Sequence, residues 1–239
     1  MSSAADRSVA VRTVILPPIG LVVAIGLYAV AMAYLEAAVV VYLRAALGVG
    51  TGDVFPVDLS TTGTHLGFEL GREVATLAMI GAVGWLAGRS PLERLAWAAV
   101  VFGIWDIGYY AWLWVFIGWP PSVGTWDLLF LLPVPWAGPV WAPMAVSAGL
   151  IAFGLVYAGR LRTGARVRLG RGSLGTLLIG GSMVVLSFVL NAGVVLTGGV
   201  PSTFAWPVFV AGIGIGIAVA ARALRPARES VAEGSPEAA

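Results

Sequence analysis

The chain has 239 residues, of which 59% are apolar and 11% are charged, and its formal net charge is +2. Soluble domains carry about 25% charged residues, so this composition, with a mean hydropathy of +0.93, excludes a soluble globular domain, a disordered chain and a coiled coil. Cysteine is absent, which excludes disulfides, thiolate metal sites and cysteine nucleophiles.

Six stretches are long and apolar enough to cross a bilayer as helices, which takes roughly 20 residues each. They are continuously apolar rather than alternating, which excludes a transmembrane barrel. The sequence therefore predicts an all-α, polytopic membrane protein with six transmembrane helices in a lipid bilayer. The predicted spans are residues 18–47, 67–88, 95–118, 128–159, 174–196 and 204–221.

The positions of the arginines predict the orientation of these spans. Twelve of the 14 basic residues, all of them Arg, lie before span one, between spans two and three, between spans four and five, or after span six. Basic loops stay in the cytoplasm, so both termini are predicted to be cytoplasmic, and the positive charge is assigned to topology rather than to a nucleic-acid partner. The exceptions are Arg44 and Arg72.

The predicted organisation has a cytoplasmic segment (1–17), a transmembrane domain (18–221) and a disordered cytoplasmic tail (222–239). The first span is expected to be a retained helix rather than a cleaved signal, because its apolar run continues past the small-residue Ala-Met-Ala segment. Arginine without lysine, together with abundant Ala and Gly, is typical of a bacterium with a GC-rich genome. The expected location is therefore the bacterial cytoplasmic (inner) membrane.

Charged side chains inside membrane spans are costly and usually mark function. At about 1.5 Å per residue, the predicted topology places them in the outer half of the bilayer, while the inner half is apolar. In span two the polar residues recur every three or four positions and so share one face, and a second polar face lies on span three. The candidate catalytic residues are Glu36, Glu69, Arg72, Glu73, Asp106, Tyr109 and Tyr110.

The spans contain four carboxylates. The arginines available to balance their charge are Arg72, within span two, and Arg44, which reaches in from the interface. Because carboxylates held close together cannot all stay ionised, protons or a cation are expected there. One hypothesis is a divalent metal site, since a carboxylate-rich set with one imidazole suits iron, manganese or zinc, although the spacing departs from the Glu-x-x-His of di-metal bundles. The candidate metal ligands are His65, Glu69, Glu73, Glu36 and Asp106.

Two other hypotheses stay open for this cluster. The carboxylates could bind protons or cations during transport, or form a structural network in which Arg72 pairs with Glu69 or Glu73. The leading functional hypothesis is a metal-dependent enzyme or metal-binding protein acting on a small or lipid-like substrate. The alternatives are a proton- or cation-coupled transporter or channel, and a non-catalytic subunit of a membrane complex or oligomer.

Span four contains four prolines, at 133, 135, 139 and 143, and such a series cannot belong to one continuous helix. The sequence predicts that this span begins as a short helix or re-entrant segment, breaks in its outer half and resumes near Pro143. The backbone groups freed by the prolines are expected to face the carboxylate cavity. Asp127, at the start of the span, has two possible roles: it lines this cavity or it is the N-cap of the span. The predicted cavity-lining residues are Asp127, Trp136, Trp141 and Asn191.

Three segments in this region carry a resemblance. They are WDIGYY (105–110), TWD (125–127) and PVPWAGP (133–139), accompanied by the Glu-x-x-x-Glu of Glu69 and Glu73. Over residues 67–143 the chain resembles a family of uncharacterised bacterial multi-pass membrane proteins. The resemblance implies no activity, so it supports the choice of candidate residues and leaves the function open.

Overall fold

The computed structural model describes residues 17–46, 48, 66–163 and 169–224, and within these it confirms six helices long and apolar enough to cross a membrane. The fifth of these spans consists of two helices, α5 and the short α6, in direct succession. The elements are α1 (Ile19–Ala46), α2 (Leu66–Ala87), α3 (Pro91–Ile117), β1 (Trp126–Phe130), β2 (Trp136–Pro139), α4 (Trp141–Arg162), α5 (Arg171–Val189), α6 (Ala192–Leu196) and α7 (Trp206–Ala223).

Several predictions fall outside the described residues. These are the ligand His65, residues 1–16 of the predicted cytoplasmic segment, and residues 225–239 of the predicted tail. The first residues of that tail, 222 and 223, still belong to α7.

Helix α3 has local signals at both ends that fix where it begins and stops. Ser90 is its N-cap and accepts a hydrogen bond from the Glu93 N–H (3.3 Å), and Pro91 occupies the first turn, where a missing N–H costs nothing. The helix stops at Gly118, which has a φ of 67° and whose N–H donates to the Trp114 carbonyl. This left-handed conformation is one that glycine adopts without steric cost.

Helix α3 is the centre of a four-helix unit, since it packs against α1, α2 and α4. Glycines allow the close approach to α4: a Cβ on Gly103 would lie 2.5 Å from the Ser147 carbonyl, and one on Gly154 would lie 2.7 Å from the Ala96 carbonyl. Trp97, Val100 and Val101 are buried in the core of this unit. Any side chain larger than hydrogen at Gly103 or Gly154 would push α4 away from α3.

Residues 126–139 form an antiparallel hairpin where the sequence predicts the beginning of span four. Trp126 lies opposite Pro139, and Leu128 lies opposite Ala137, while α4 begins only at Trp141. Of the two forms predicted for this stretch, a short helix or a re-entrant segment, the short helix is therefore wrong. The physical reason is that prolines cannot donate the hydrogen bonds of a helix, whereas β1 and β2 can satisfy their backbone by pairing with each other.

The hairpin joins the four-helix unit to a second unit, in which α5 packs on α7 through Gly180 and Gly212. Strand β2 contacts α4, α5 and α6, and an aromatic cluster around Phe188 and Phe204 packs against Trp136. The hairpin end is the end of the bundle that carries residues 118–140. The arginine end is the opposite end, with Arg89, Arg94, Arg160, Arg162, Arg171 and Arg222.

Candidate functional site

Helix α2 contributes a polar face that begins with an arginine held between two carboxylates. Arg72 donates to Glu69 from its Nε (3.0 Å) and from Nη2 (2.7 Å), as expected for side chains three residues apart. Its Nη1 also forms an ion pair with Glu36 on α1. Thr76 donates to the same Glu36 side chain (3.3 Å), so this cluster ties α1 to α2.

Glu73, on the same face of α2, binds backbone rather than a charged partner. Its two carboxylate oxygens accept hydrogen bonds from the N–H groups of Leu131 (2.7 Å) and Leu132 (3.2 Å), in the turn between β1 and β2. Glu73 is buried, and buried carboxylates are stable only when such donors reach them. Its structural effect is to fasten the tip of the hairpin to α2.

Asp106 lies near the middle of α3 and has a partner that sequence reasoning missed. The Ser147 hydroxyl of α4 donates to Asp106 Oδ2 at 2.8 Å, and the two residues are 0% and 7% exposed respectively. None of the described ion pairs involves Asp106. The sequence feature that could have indicated this contact is that Ser147 is the one Ser or Thr within α4.

Asp127 belongs to strand β1 and is 3% exposed, so its predicted alternative role as a helix N-cap is wrong. It accepts hydrogen bonds from the Tyr110 hydroxyl (2.9 Å) and from the Leu128 N–H (2.8 Å). Burial raises the pKa of Asp127 to about 6, while these two hydrogen bonds and the nearby Arg44 act in the opposite direction. Asp127 therefore connects the hairpin to α3.

Tyr109 lies between these groups. It is within electrostatic reach of Asp127, Arg72, Arg44 and Asp106, and its ring contacts that of Tyr110 edge-on at a centroid distance of 5.2 Å. The structure thus places all seven candidate catalytic residues between the middle of the bundle and the hairpin end, and every carboxylate among them has a protein partner.

Of the remaining predicted cavity residues, Trp136 and Trp141 pack at the junction of the two helical units, and Asn191 lies within the α5–α7 unit. Trp136 stacks on Phe188, and Trp141 stacks on Trp206 with ring centroids 4.3 Å apart and planes at 5°. Asn191 donates to the Thr203 carbonyl (3.0 Å) in the connection between α6 and α7.

The predicted metal ligands do not converge in the described structure. Within residues 17–46, 48, 66–163 and 169–224, no group of three or more His, Cys, Asp and Glu side chains is placed to hold a metal ion. The physical reason is that the carboxylates are already committed: Glu36 and Glu69 to Arg72, Glu73 to the hairpin backbone, and Asp106 to Ser147.

A second charged cluster lies at the arginine end. The predicted spans place Glu93 in the connection between spans two and three, so the candidate residues do not include it. Arg162 of α4 forms an ion pair with Glu93 of α3, and the same carboxylate accepts from the Arg89 N–H (2.9 Å) and from Trp97 Nε1 (3.4 Å). The spacing Ser90-x-x-Glu93, typical of a helix start, was the available signal. These contacts hold together the ends of α2, α3 and α4 that lie at the arginine end.

Three buried indole N–H groups have no hydrogen-bond partner among the described residues: those of Trp105, Trp119 and Trp136. Trp105 and Trp136 both contact the ring of Phe130, at centroid distances of 6.4 and 5.4 Å. Buried donors are usually paired with protein or with an ordered molecule. The region around the Phe130 ring therefore contains two buried donors that no described residue satisfies.

Comparisons with known proteins add no relative to this description. No protein-family model matches the chain, and no match was found among curated proteins or among solved structures. The structure establishes an all-α protein with six helices suited to a lipid bilayer.

Proposed function

We propose that this chain is a multi-pass protein of the bacterial inner membrane with both termini in the cytoplasm. Of the eight arginines among the described residues, six lie at the arginine end, whereas Arg44 and Arg72 lie toward the hairpin end. Under the positive-inside rule, the arginine end faces the cytoplasm. The hairpin and the carboxylates then lie toward the outer face.

The outer site is, in this proposal, an acid–base site that acts on a small or lipid-like substrate without a metal held by the described residues. The observation that carries it is the pair Asp106 and Asp127, two buried carboxylates within electrostatic reach of each other. Because two such carboxylates disfavour a state in which both are ionised, one of them is expected to hold a proton. A pair with one acid and one base is the arrangement that general acid–base catalysis uses.

The two partners divide these roles. Asp127 accepts two hydrogen bonds and lies within reach of Arg44, which favours its ionised form. Asp106 accepts one hydrogen bond, from Ser147, and forms none of the described ion pairs. Asp106 is therefore assigned as the group that holds the proton, and Asp127 as the base, with Tyr110 positioned to move a proton at its hydroxyl.

The unpaired indole donors support a substrate with hydrogen-bond acceptors. Trp105 lies one residue from Asp106, and Trp136 contacts the same Phe130 ring. A carbonyl, ester or phosphate oxygen at this place would accept from these N–H groups, which recovers the free energy that an unpaired buried donor costs.

Proton- or cation-coupled transport is the second candidate, since intramembrane carboxylates also serve proton relays. It requires a polar path from the site to the cytoplasm. The cleft that occupies the cytoplasmic half between the helical units is lined by apolar side chains, apart from the Tyr157 hydroxyl. That observation favours the acid–base site over the relay.

Incubation of purified protein with bacterial lipid and metabolite extracts, followed by mass spectrometry, tests the proposal. We expect a product that requires the wild-type chain and is lost, by about 100-fold or more, in Asp106→Asn and in Asp127→Asn. Ser122→Ala, at an exposed hydroxyl of the same loop region, is the control and should retain it. Proton flux into liposomes that Asp106→Asn abolishes, without any product, would contradict the proposal in favour of transport.

A further inference from the structure

A cleft of about 560 Å³ lies between the four-helix unit and the α5–α7 unit, and it extends through the middle of the bundle toward the arginine end. The two units meet at the other end, where β2 contacts α4, α5 and α6 and the aromatic cluster packs. At the arginine end, Arg160 of α4 donates from Nη1 to the carbonyl of Leu224, the C-cap of α7 (2.6 Å), so the cleft lies between two junctions of the units.

The cleft has the length and chemistry of one leaflet of the hydrocarbon core. Along α4 it extends from Ala145 to Tyr157, which is about 18 Å at 1.5 Å per residue, against about 15 Å for half of the bilayer core. Its other walls come from α3, α5 and α7, and its side chains are Ala, Val, Leu, Ile, Phe and Gly, apart from Tyr157. A cleft of this kind within a bilayer is filled by hydrocarbon, not by water.

Glycines make part of this space. Gly149, Gly181 and Gly216 line the cleft, and a Cβ built on any of them would meet no atom within 4 Å. In contrast, Gly180 and Gly212 are used for the contact between α5 and α7. The open glycines therefore serve no helix crossing within the described chain, and they leave room for a guest.

The mouth of the cleft at the arginine end carries positive charge. Arg171 lies between the lining residues Leu169 and Leu174, and Arg222 follows the lining residue Ala220 by two positions. Both arginines are exposed, and none of the described ion pairs involves them. Basic residues at the cytoplasmic end of a groove between transmembrane helices suit an anionic lipid headgroup.

We infer that this cleft is a binding site for one anionic phospholipid, separate from the outer acid–base site. An acyl chain occupies the apolar space between α4, α5 and α7, and the phosphate lies against Arg171 and Arg222. The assignment does not depend on what the outer site does, because the two sites share none of the residues that form them.

Native mass spectrometry of the full chain, released from nanodiscs of phosphatidylglycerol or of phosphatidylcholine, tests this inference. We expect the wild type to retain one phosphatidylglycerol and much less phosphatidylcholine. Gly181→Leu and Gly216→Leu fill the cleft and should reduce retention by about tenfold or more, the effect of about 1.4 kcal/mol. Their controls are Gly175→Leu and Gly214→Leu, on the same helices and equally open but outside the cleft.

Equal retention by the cleft variants and their controls would overturn the inference, as would equal retention of the two lipids by the wild type. If the leucine variants do not fold, the double variant Arg171→Gln with Arg222→Gln, at two exposed positions, tests the inference instead. It is expected to lose the preference for phosphatidylglycerol, and an unchanged preference would contradict the assignment.

Discussion

Replacing Arg72 by Leu is expected to lower the free energy of unfolding by about 3–5 kcal/mol, the cost of removing one partner from a buried ion pair. Arg72 is the cation between Glu36 and Glu69, so its loss leaves two carboxylates close together within the membrane. The measurement is equilibrium unfolding of the purified protein in mixed detergent micelles, followed by tryptophan fluorescence.

The matched control for this variant is Arg89→Gln, which removes an exposed arginine whose side chain forms none of the described ion pairs and should change stability by less than about 0.5 kcal/mol. Adding Glu36→Gln and Glu69→Gln to Arg72→Leu should restore much of the lost stability, because no unpaired charge then remains. If Arg72→Leu unfolds like the control, the three side chains do not form the ion-pair network described.

Replacing Glu73 by Ala is expected to release the hairpin while the helices stay folded. The change removes the acceptor of two backbone N–H groups, those of Leu131 and Leu132, and an unsatisfied buried donor costs about 1–3 kcal/mol. A loss of about 2 kcal/mol corresponds to a roughly 30-fold larger population of the open hairpin. Hydrogen exchange of peptides that cover residues 126–139 measures this directly.

Exchange within α1 serves as the internal control for Glu73→Ala, since α1 has no described contact with that carboxylate. Glu73→Gln should give a smaller increase, because an amide retains one acceptor oxygen while its NH₂ group cannot accept the second N–H. Unchanged exchange over residues 126–139 in Glu73→Ala would show that α2 does not hold the hairpin.

The six helices were predictable because a membrane span is specified by the length and apolarity of one segment, without information about its neighbours. The pairing of Arg72 with Glu69 was also foreseen as one alternative, since side chains three residues apart on a helix meet. Both features are local, and each can be read from fewer than 30 consecutive residues.

The hairpin could not be predicted in the same way. Four prolines show that residues 133–143 are not one helix, but nothing local specifies that Trp126 lies opposite Pro139. The tertiary partners were hidden for the same reason: a carboxylate such as Glu73 has many possible donors, and here it takes the backbone of a segment 58 residues away. Within the described residues no group of three or more metal ligands forms, because carboxylates at one depth are held by different partners; His65 lies outside these residues, and the metal site stays a prediction.

The buried proton is the central claim of this account, and infrared spectroscopy of the reconstituted protein near neutral pH tests it most directly. A proton on Asp106 predicts a carboxylic acid C=O band in the wild type, because a protonated carboxyl absorbs apart from an ionised one. The band should disappear in Asp106→Asn and persist in the Ser122→Ala control. A wild-type spectrum without that band, or a band unchanged by Asp106→Asn, would contradict the acid–base site.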